Sequence, residues 1–373
     1  MTSSRYEMVP FLQAVRDCTG GNYKVQRREY ETEGEVPVID QGQDFIAGYT
    51  AVENSYQGAL PVVLFGDHTR AFKYVDFSFA LGADGVKALE PLQGFTARFL
   101  HYYFLFVQLP NAGYSRHFKF LKEISVPKPS IEEQHSIVDI LSRAQGIVRL
   151  RHDAEKKTAE LIPALFLDMF GDPTTNPKGW PMVAFGTVGE CRLGKMLDKQ
   201  KQSGNFQLPY LRNINVQWNR IDTYDLLTMD FHPDEQSKFR LQAGDIMICE
   251  GGEVGRAAIW NGHLDECYYQ KALHRLRPNL EMVRPDFIVW LLWHLARTGT
   301  LLGASTHATI AHLTGIQLKS MKVICPTIAL QQQFEQLAER CKSIQLQQSD
   351  ASAKAQATFE ALLSQVFSNN KEK

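Results

Sequence analysis

No stretch of this chain is apolar for long enough to cross a bilayer. The longest apolar runs, "FLHYYFLFVQL" at 99–109 and "IVWLLWHL" at 288–295, fall short of the roughly 18–20 residues a spanning helix needs. They read as buried helices. The opening "MTSSRYEMVP" has no apolar run, so neither a signal peptide nor a membrane location is expected, and the chain reads as cytoplasmic. Cysteine is scarce and unpatterned. Cys18, Cys191, Cys249, Cys267, Cys325 and Cys341 include no CxxC pair, which argues against both a disulfide framework and a zinc finger, and no metal site is expected. Charge of one sign is also lacking: 40 Lys and Arg oppose 41 Asp and Glu, for a net charge of −1. Indiscriminate polyanion binding is thereby disfavoured, although a local basic face is not. A phosphate loop is missing, because the glycine-rich "EGGEVGR" at 250–256 lacks the G-K-[ST] ending.

The chain does contain an internal repeat. At an offset of 197, residues 121–171 align with 318–368 without a gap, and 14 of the 51 positions are identical. Chance at ordinary composition gives about three. The identities include Val126/Val323, Pro129/Pro326, Gln134/Gln331, Ile147/Ile344 and Phe170/Phe367. Upstream, Phe99–Leu109 resembles Phe287–Arg297 at an offset of 188, and "YEMVPF" at 6–11 resembles "WPMVAF" at 180–185. One unit is written twice, over about 1–171 and 172–373.

Each unit begins with a mixed region of short strand signals, such as "LPVVLF" at 60–65 and "GDIMIC" at 244–249, set between Gly, Asp and Asn turns. A short extended segment with proline follows, and then a long helix. Ser130 and Thr327 are placed to cap the two helices, with Glu133 at the capping-box position of the first. Steps of three and four run through Ile137, Ile140, Ala144, Ile147, Arg151, Ala154, Thr158, Ile162, Leu165 and Met169. The second copy steps through Phe334, Leu337, Cys341, Ile344, Gln348, Ala351, Ala355, Phe359, Leu362 and Val366. Two matching stripes, each adjoining a domain of its own, predict that the helices pack on each other with a coiled-coil-type seam. Pro163 is expected to kink or break the first helix one turn earlier.

These residues resemble the specificity subunit of bacterial type I restriction–modification systems. The resemblance rests on "VPKPSIEEQHSIVDILSRA" at the helix entrance, "FLDMFGDP" at 166–173, "GWPMVAFGTVGE" at 179–190, "GDIMICEGGEVGRAAI" at 244–259, and the order domain, helix, domain, helix. It implies an α+β chain divided into a first target-recognition domain over 1–125, a central helical repeat over 126–171, a linker over 172–181, a second target-recognition domain over 182–322 and a C-terminal helical repeat over 323–373, the two long helices packing as an antiparallel coiled coil. The implied function is non-catalytic, sequence-specific binding of double-stranded DNA at a bipartite, asymmetric target. The implied partners are two methyltransferase subunits and further restriction and translocase subunits. AdoMet, ATP and Mg are expected on those partners, with no cofactor in this chain. The [DNS]-P-P-[FYW] tetrapeptide of adenine methylation is absent, in keeping with that division of labour. Two other readings remain open from the residues alone. One is a DNA-modifying or DNA-cutting enzyme with an unrecognised motif, and the other is a coiled-coil adaptor without DNA contact.

Candidate DNA contacts follow from residue type. Lys24, Arg27 and Arg28 in the first domain, and Arg192, Lys195, Lys199 and Lys201 in the second, suit phosphate contacts. Arg212, Asn213, Asn215 and Gln217 are types that pair with base edges. Gly251 and Gly252 would allow close backbone approach, beside Arg256. His68, Thr69 and Arg70 follow a Gly-Asp turn and are expected to point outward. Gln270, Lys271 and His307 complete the set.

Overall fold

The computed structural model describes residues 6–368 apart from 84, 112, 114, 198–202 and 303–311. It contains two compact units, Met1–Ala154 with Ser349–Lys373, and Glu155–Gln348. This division does not follow the sequence repeat, because it falls inside both long helices. The cause is antiparallel packing: the end of the last helix folds into the unit that contains the first domain.

In the first unit, the strand Met8–Pro10 pairs antiparallel with Ser125–Pro127, Val9 facing Val126. The start of the domain is thereby tied to the segment that enters the helix. A four-stranded antiparallel sheet follows in the order Val15–Asp17, Val86–Pro91, Val62–Gly66, Phe72–Val75. Its central strand, VVLFG, is buried throughout, as a β-branched run covered on both faces should be. A second sheet orders Lys24–Val25, Ala80–Gly82, Val36–Ile39 and Gly48–Thr50, its first two pairings parallel.

The second unit repeats this plan. Met182–Ala184 pairs with Lys322–Ile324, Val183 facing Val323. The four-stranded sheet runs Gly189–Leu193, Leu273–Pro278, Ile246–Cys249, Ala257–Ile259. The second sheet holds Leu227–Asp230, Gln207–Leu211 and Tyr268–Tyr269. A parallel bridge from Lys195 to Gln270 stands where Lys24–Val25 stands in the first unit.

Helix Ala97–Phe106 buries Phe99, Leu100, Tyr102 and Phe104 in the first core. Leu141, and more partially Val138 and Val148, pack there from helix Ile131–Ala159. Phe359, Leu363 and Phe367 arrive from helix Ile328–Ser368, with the Phe367 ring centroid 5.4 Å from that of Tyr103 and 5.8 Å from that of Phe99. Burial of each such ring contributes on the order of 2–3 kcal/mol. In the second core Phe166 and Phe170 of helix Leu161–Phe170 meet Phe287 of helix Pro285–Arg297 and Phe334, with centroids 4.9–5.8 Å apart.

The first long helix breaks at Glu160, three residues before Pro163, as the missing proline N–H dictates. Gly171, at φ 74°, ends the second piece. The segment after it folds back rather than hanging free. Trp180 Nε1 donates to the Phe170 carbonyl at 2.8 Å, and Lys178 Nζ donates to the carbonyls of Asp168 and Met169. A cation thus satisfies orphan carbonyls at a helix C-terminus.

Two glutamines identical in the repeat anchor the helix entrances. Gln134 and Gln331 are both wholly buried. Gln134 accepts from the Thr96 amide and donates to the carbonyls of Gly94 and Pro129. Gln331 accepts from the Arg284 amide and donates to those of Met282 and Pro326. The expected capping box forms at Ser130 and Glu133.

The expected helix stripe needs one correction. Ile140 is 50% exposed and Ile147 54%, while the buried or half-buried positions are Leu141 and Val148. The second copy departs in the same way, with Ile344 42% exposed and Ala338 buried. Each helix packs on its own domain as well as on the other helix, so the buried face is rotated from a pure coiled-coil seam.

Candidate nucleic-acid interface

Both domains present a hairpin connection at the same place in the fold. In the first it links Val62–Gly66 to Phe72–Val75, and in the second Ile246–Cys249 to Ala257–Ile259. The "EGGEVGR" stretch is therefore a hairpin loop. Lys24 and Lys195 likewise occupy matching edges of the second sheets.

In the first domain, Arg27 and Arg28 are exposed on the short turn Arg27–Glu29 beside the half-buried Lys24. The 67–71 turn is more inward than expected. Thr69 Oγ1 donates to the Gln41 carbonyl at 2.5 Å, and the His68 amide donates to Gln41 Oε1 at 3.1 Å. The Asp67 carboxylate accepts from the Phe118 amide at 2.7 Å. Thr69 thus holds the turn to the neighbouring loop, and Arg70, at φ 62°, reverses the chain. Phe45 and Phe77, both exposed, have ring centroids 6.1 Å apart. Sequence reasoning passed over this pair, although the polar residues around each ring were a signal for an exposed aromatic.

In the second domain the structure gathers Arg212, Asn213, Asn215, Gly251, Gly252 and Arg256 into one patch. Asn213 Nδ2 donates to the Gly251 carbonyl at 2.9 Å, and Arg256 Nη2 donates to the Asn213 carbonyl at 3.0 Å. Gly252 has φ 74°, and a Cβ there would sit 3.1 Å from Asn213 Nδ2, so glycine fits where a side chain would crowd. Asn215, 3% exposed, accepts from the Arg212 amide and donates to the carbonyls of Asp222 and Asp225. These bonds shape the turn that carries Tyr224, which is 99% exposed and was not singled out from the sequence. Trp218 Nε1 donates to Glu253 across the same patch.

Several expected phosphate contacts are already engaged. Lys195 Nζ donates to Glu235 Oε2 at 2.5 Å and to the Asp230 carbonyl at 2.6 Å, with its side chain 14% exposed. It secures the first turn of helix Pro233–Phe239, and the structure corrects its assignment to phosphate. Asn215 is corrected for the same reason, since burial removes it from base edges. Arg212 is paired with Asp225 at 2.7 Å and Arg256 with Glu253 at 3.4 Å. Arg192 lies 3.1 Å from Glu190 but stays 41% exposed. Gln217 donates to the Ile214 carbonyl, Gln270 is half-buried, and Lys271 is exposed beside the bridge. Lys199, Lys201 and His307 lie outside the described residues. The second domain also uses Arg275 and Arg277 internally, on Glu190 and the buried Asp245.

The carboxylate of Asp230 accepts from Ser203 Oγ, the Gly204 and Phe206 amides and Gln207 Nε2. Burial would raise its pKa, but these donors together hold it well below the ordinary carboxylate value. Among the described residues no group of three His, Cys, Asp or Glu side chains is placed to hold a metal, and no helix is long and apolar enough to cross a membrane. The candidate interface consists of loops that present amides, guanidinium groups and exposed rings, a chemistry suited to binding a polyanion.

The family described as type I restriction modification DNA specificity domain matches residues 12–160 and again 177–337. The chain is 23% identical over 362 residues to the EcoR124I/EcoR124II type I restriction enzyme specificity subunit of Escherichia coli, covering 90% of this chain and 86% of that one. A putative type I specificity subunit of Haemophilus influenzae is 21% identical, with 92% and 89% covered. The crystal structure of a type I restriction–modification S subunit from M. genitalium superposes with a TM-score of 0.58 at 14% identity and full coverage of both chains. A chain from a structure addressing complex assembly and conformational transition of the type I R-M system gives 0.61 at 14% identity, with 98% and 99% covered. The two family matches fall on the two copies of the repeated plan, and the chain belongs to the type I restriction–modification DNA specificity family.

Proposed function

We propose that this chain reads a split, asymmetric sequence in double-stranded DNA and scaffolds the subunits that act on it. The observation that carries the reading is one frame used twice with different reading loops. Strand order and the buried glutamine anchor are the same in both units, while the hairpin loops read "GDHTR" in one and "EGGEVGR" in the other. A frame that is kept while its loops diverge suits two half-sites of different sequence. Two methyltransferase subunits and the restriction and translocase subunits are the partners, with AdoMet, ATP and Mg bound by them. The long helices set the distance between half-sites. Phosphate contacts come from Lys24, Arg27, Arg28, Arg192 and Lys271, and from Lys199 and Lys201. Base contacts come from Gln217 and the backbone at Gly251 and Gly252, which Asn213 holds in place through the Gly251 carbonyl. The enzyme and adaptor readings are not favoured by the family match.

The test is to co-express the chain with its methyltransferase partner and map methylated adenines. Two unlike half-sites at a fixed separation are expected. Replacing residues 1–125 by another member's first domain should change one half alone. A palindromic target, or methyl transfer by the purified chain alone, would overturn the proposal.

A further inference from the structure

The first unit contains a cleft of about 330 Å³ lined by Arg98, Tyr102, Ser142, Gln145, Gly146 and Arg149. It lies where helix Ala97–Phe106 packs on helix Ile131–Ala159, apart from the reading loops. We propose that it binds a phosphoryl group, presented by free phosphate or a nucleotide monoester.

The side-chain oxygens lining the cleft are tied to one another. Tyr102 donates its proton to Gln145 Oε1 at 3.0 Å and lies 3.0 Å from Ser142 Oγ. The groups left over are donors: the Gln145 amide nitrogen and two guanidinium groups. Arg98 lies flat over the Tyr74 ring, its guanidinium carbon 3.6 Å from the centroid, which fixes the plane and leaves the N–H edges free. Neither Arg98 nor Arg149 has an ion-pair partner among the described residues. Two permanent positive charges line one concave site whose lining includes no carboxylate, and a dianion with several acceptor oxygens supplies what is missing.

The repeat provides an internal control. The anchoring bonds of Gln134 to Thr96 and of Gln331 to Arg284 fix the correspondence of the two domain helices, so Arg98 corresponds to Asp286. The ungapped alignment makes Gln145 the counterpart of Lys342 and Arg149 that of Leu346. In the second unit Asp286 and Lys342 form an ion pair at 2.5 Å. The same position is therefore self-neutralised in one copy and doubly cationic in the other. A general packing need would have been met by the same pair in both copies. A single protruding anionic group fits a concave cleft of this size, and a duplex backbone does not.

The test is thermal unfolding of the full chain with inorganic phosphate at constant ionic strength, chloride balancing the salt. At about tenfold over its dissociation constant, phosphate should raise the unfolding temperature by about 3–5 °C, with no rise from chloride. Arg98→Asp combined with Gln145→Lys transplants the second unit's ion pair and should abolish the rise. Arg149→Gln should weaken binding at least tenfold, cutting the rise to about a third or less, and serves if the double variant does not fold. AMP acting more strongly than phosphate, with adenosine inert, would identify a nucleotide monoester as the source, and phosphate acting alone would identify the free ion. No rise, a rise that survives these substitutions, an equal rise with chloride, or an Arg149-dependent rise with duplex DNA but not with phosphate would each overturn the proposal.

Discussion

The side-chain oxygen of Gln134 lies 2.9 Å from the amide nitrogen of Thr96, the residue that caps helix Ala97–Phe106. The amide nitrogen of the same side chain reaches the Gly94 and Pro129 carbonyls. One glutamine thus joins the domain helix, the loop before it and the entrance of the long helix. Gln134→Leu keeps the volume and orphans one buried and two part-buried backbone groups. Unsatisfied groups cost about 1–3 kcal/mol each, so a loss on the order of 3–5 kcal/mol is expected, or roughly 10 °C in unfolding temperature. Calorimetry of the variant checks this, and a shift under about 2 °C would refute it.

His101 predicts a pH dependence. Its ring is 5% exposed, facing Tyr74 and Tyr102. Burial first, then the charge of Arg98, pushes its pKa from 6.5 down to about 4, against a bond to the Phe72 carbonyl that raises it. The folded ring stays neutral where the unfolded one takes a proton. The stability this provides is complete above pH 6.5 and is lost as pH falls toward 4, with a slope approaching about 1.4 kcal/mol per unit. Denaturant titrations from pH 7 to 4 should show a shallower fall for His101→Leu than for the wild type. Parallel curves would show that His101 is not the group responsible.

Arg27 and Arg28 are exposed, whereas Lys195 is committed to Glu235. In the assembled complex, Arg27→Gln with Arg28→Gln should lower the slope of log affinity against log salt by about 1.8, at about 0.9 per lost phosphate contact. Lys195→Gln should leave the slope alone and lower the unfolding temperature. Anisotropy measurements across a salt series separate the two outcomes, and the reverse pattern would return Lys195 to the phosphate-contacting set.

Adding four residues within 151–154 lengthens one helix by about 6 Å while advancing it by about one turn. With the second helix unchanged and sharing the strain, the expected target keeps both half-sites and gains about one base pair of spacer. Methylome mapping reads this directly. An unchanged spacer would show that the helices do not set the separation.

The sequence showed the repeat, the helix entrances, the break before Pro163 and the two hairpin loops, because each rests on local signals: capping residues, proline and glycine. It misplaced Ile140 and Ile147, since periodicity reports one apolar face and these helices serve two neighbours. It showed that Gln134 and Gln331 are identical without showing why, because the amides they accept from lie 38 and 47 residues away. Charge type pointed to Lys195 and Arg256, but which cations are neutralised internally depends on carboxylates such as Glu235 that the fold brings close.

Phe359, Leu363 and Phe367 close the core around Phe99, Tyr102 and Tyr103, so the first domain is completed by residues made only after the second. During synthesis the segment Glu155–Gln348 can assemble while the N-terminal domain still exposes the apolar floor that these rings will cover. Until those rings arrive, that apolar surface is open to aggregation.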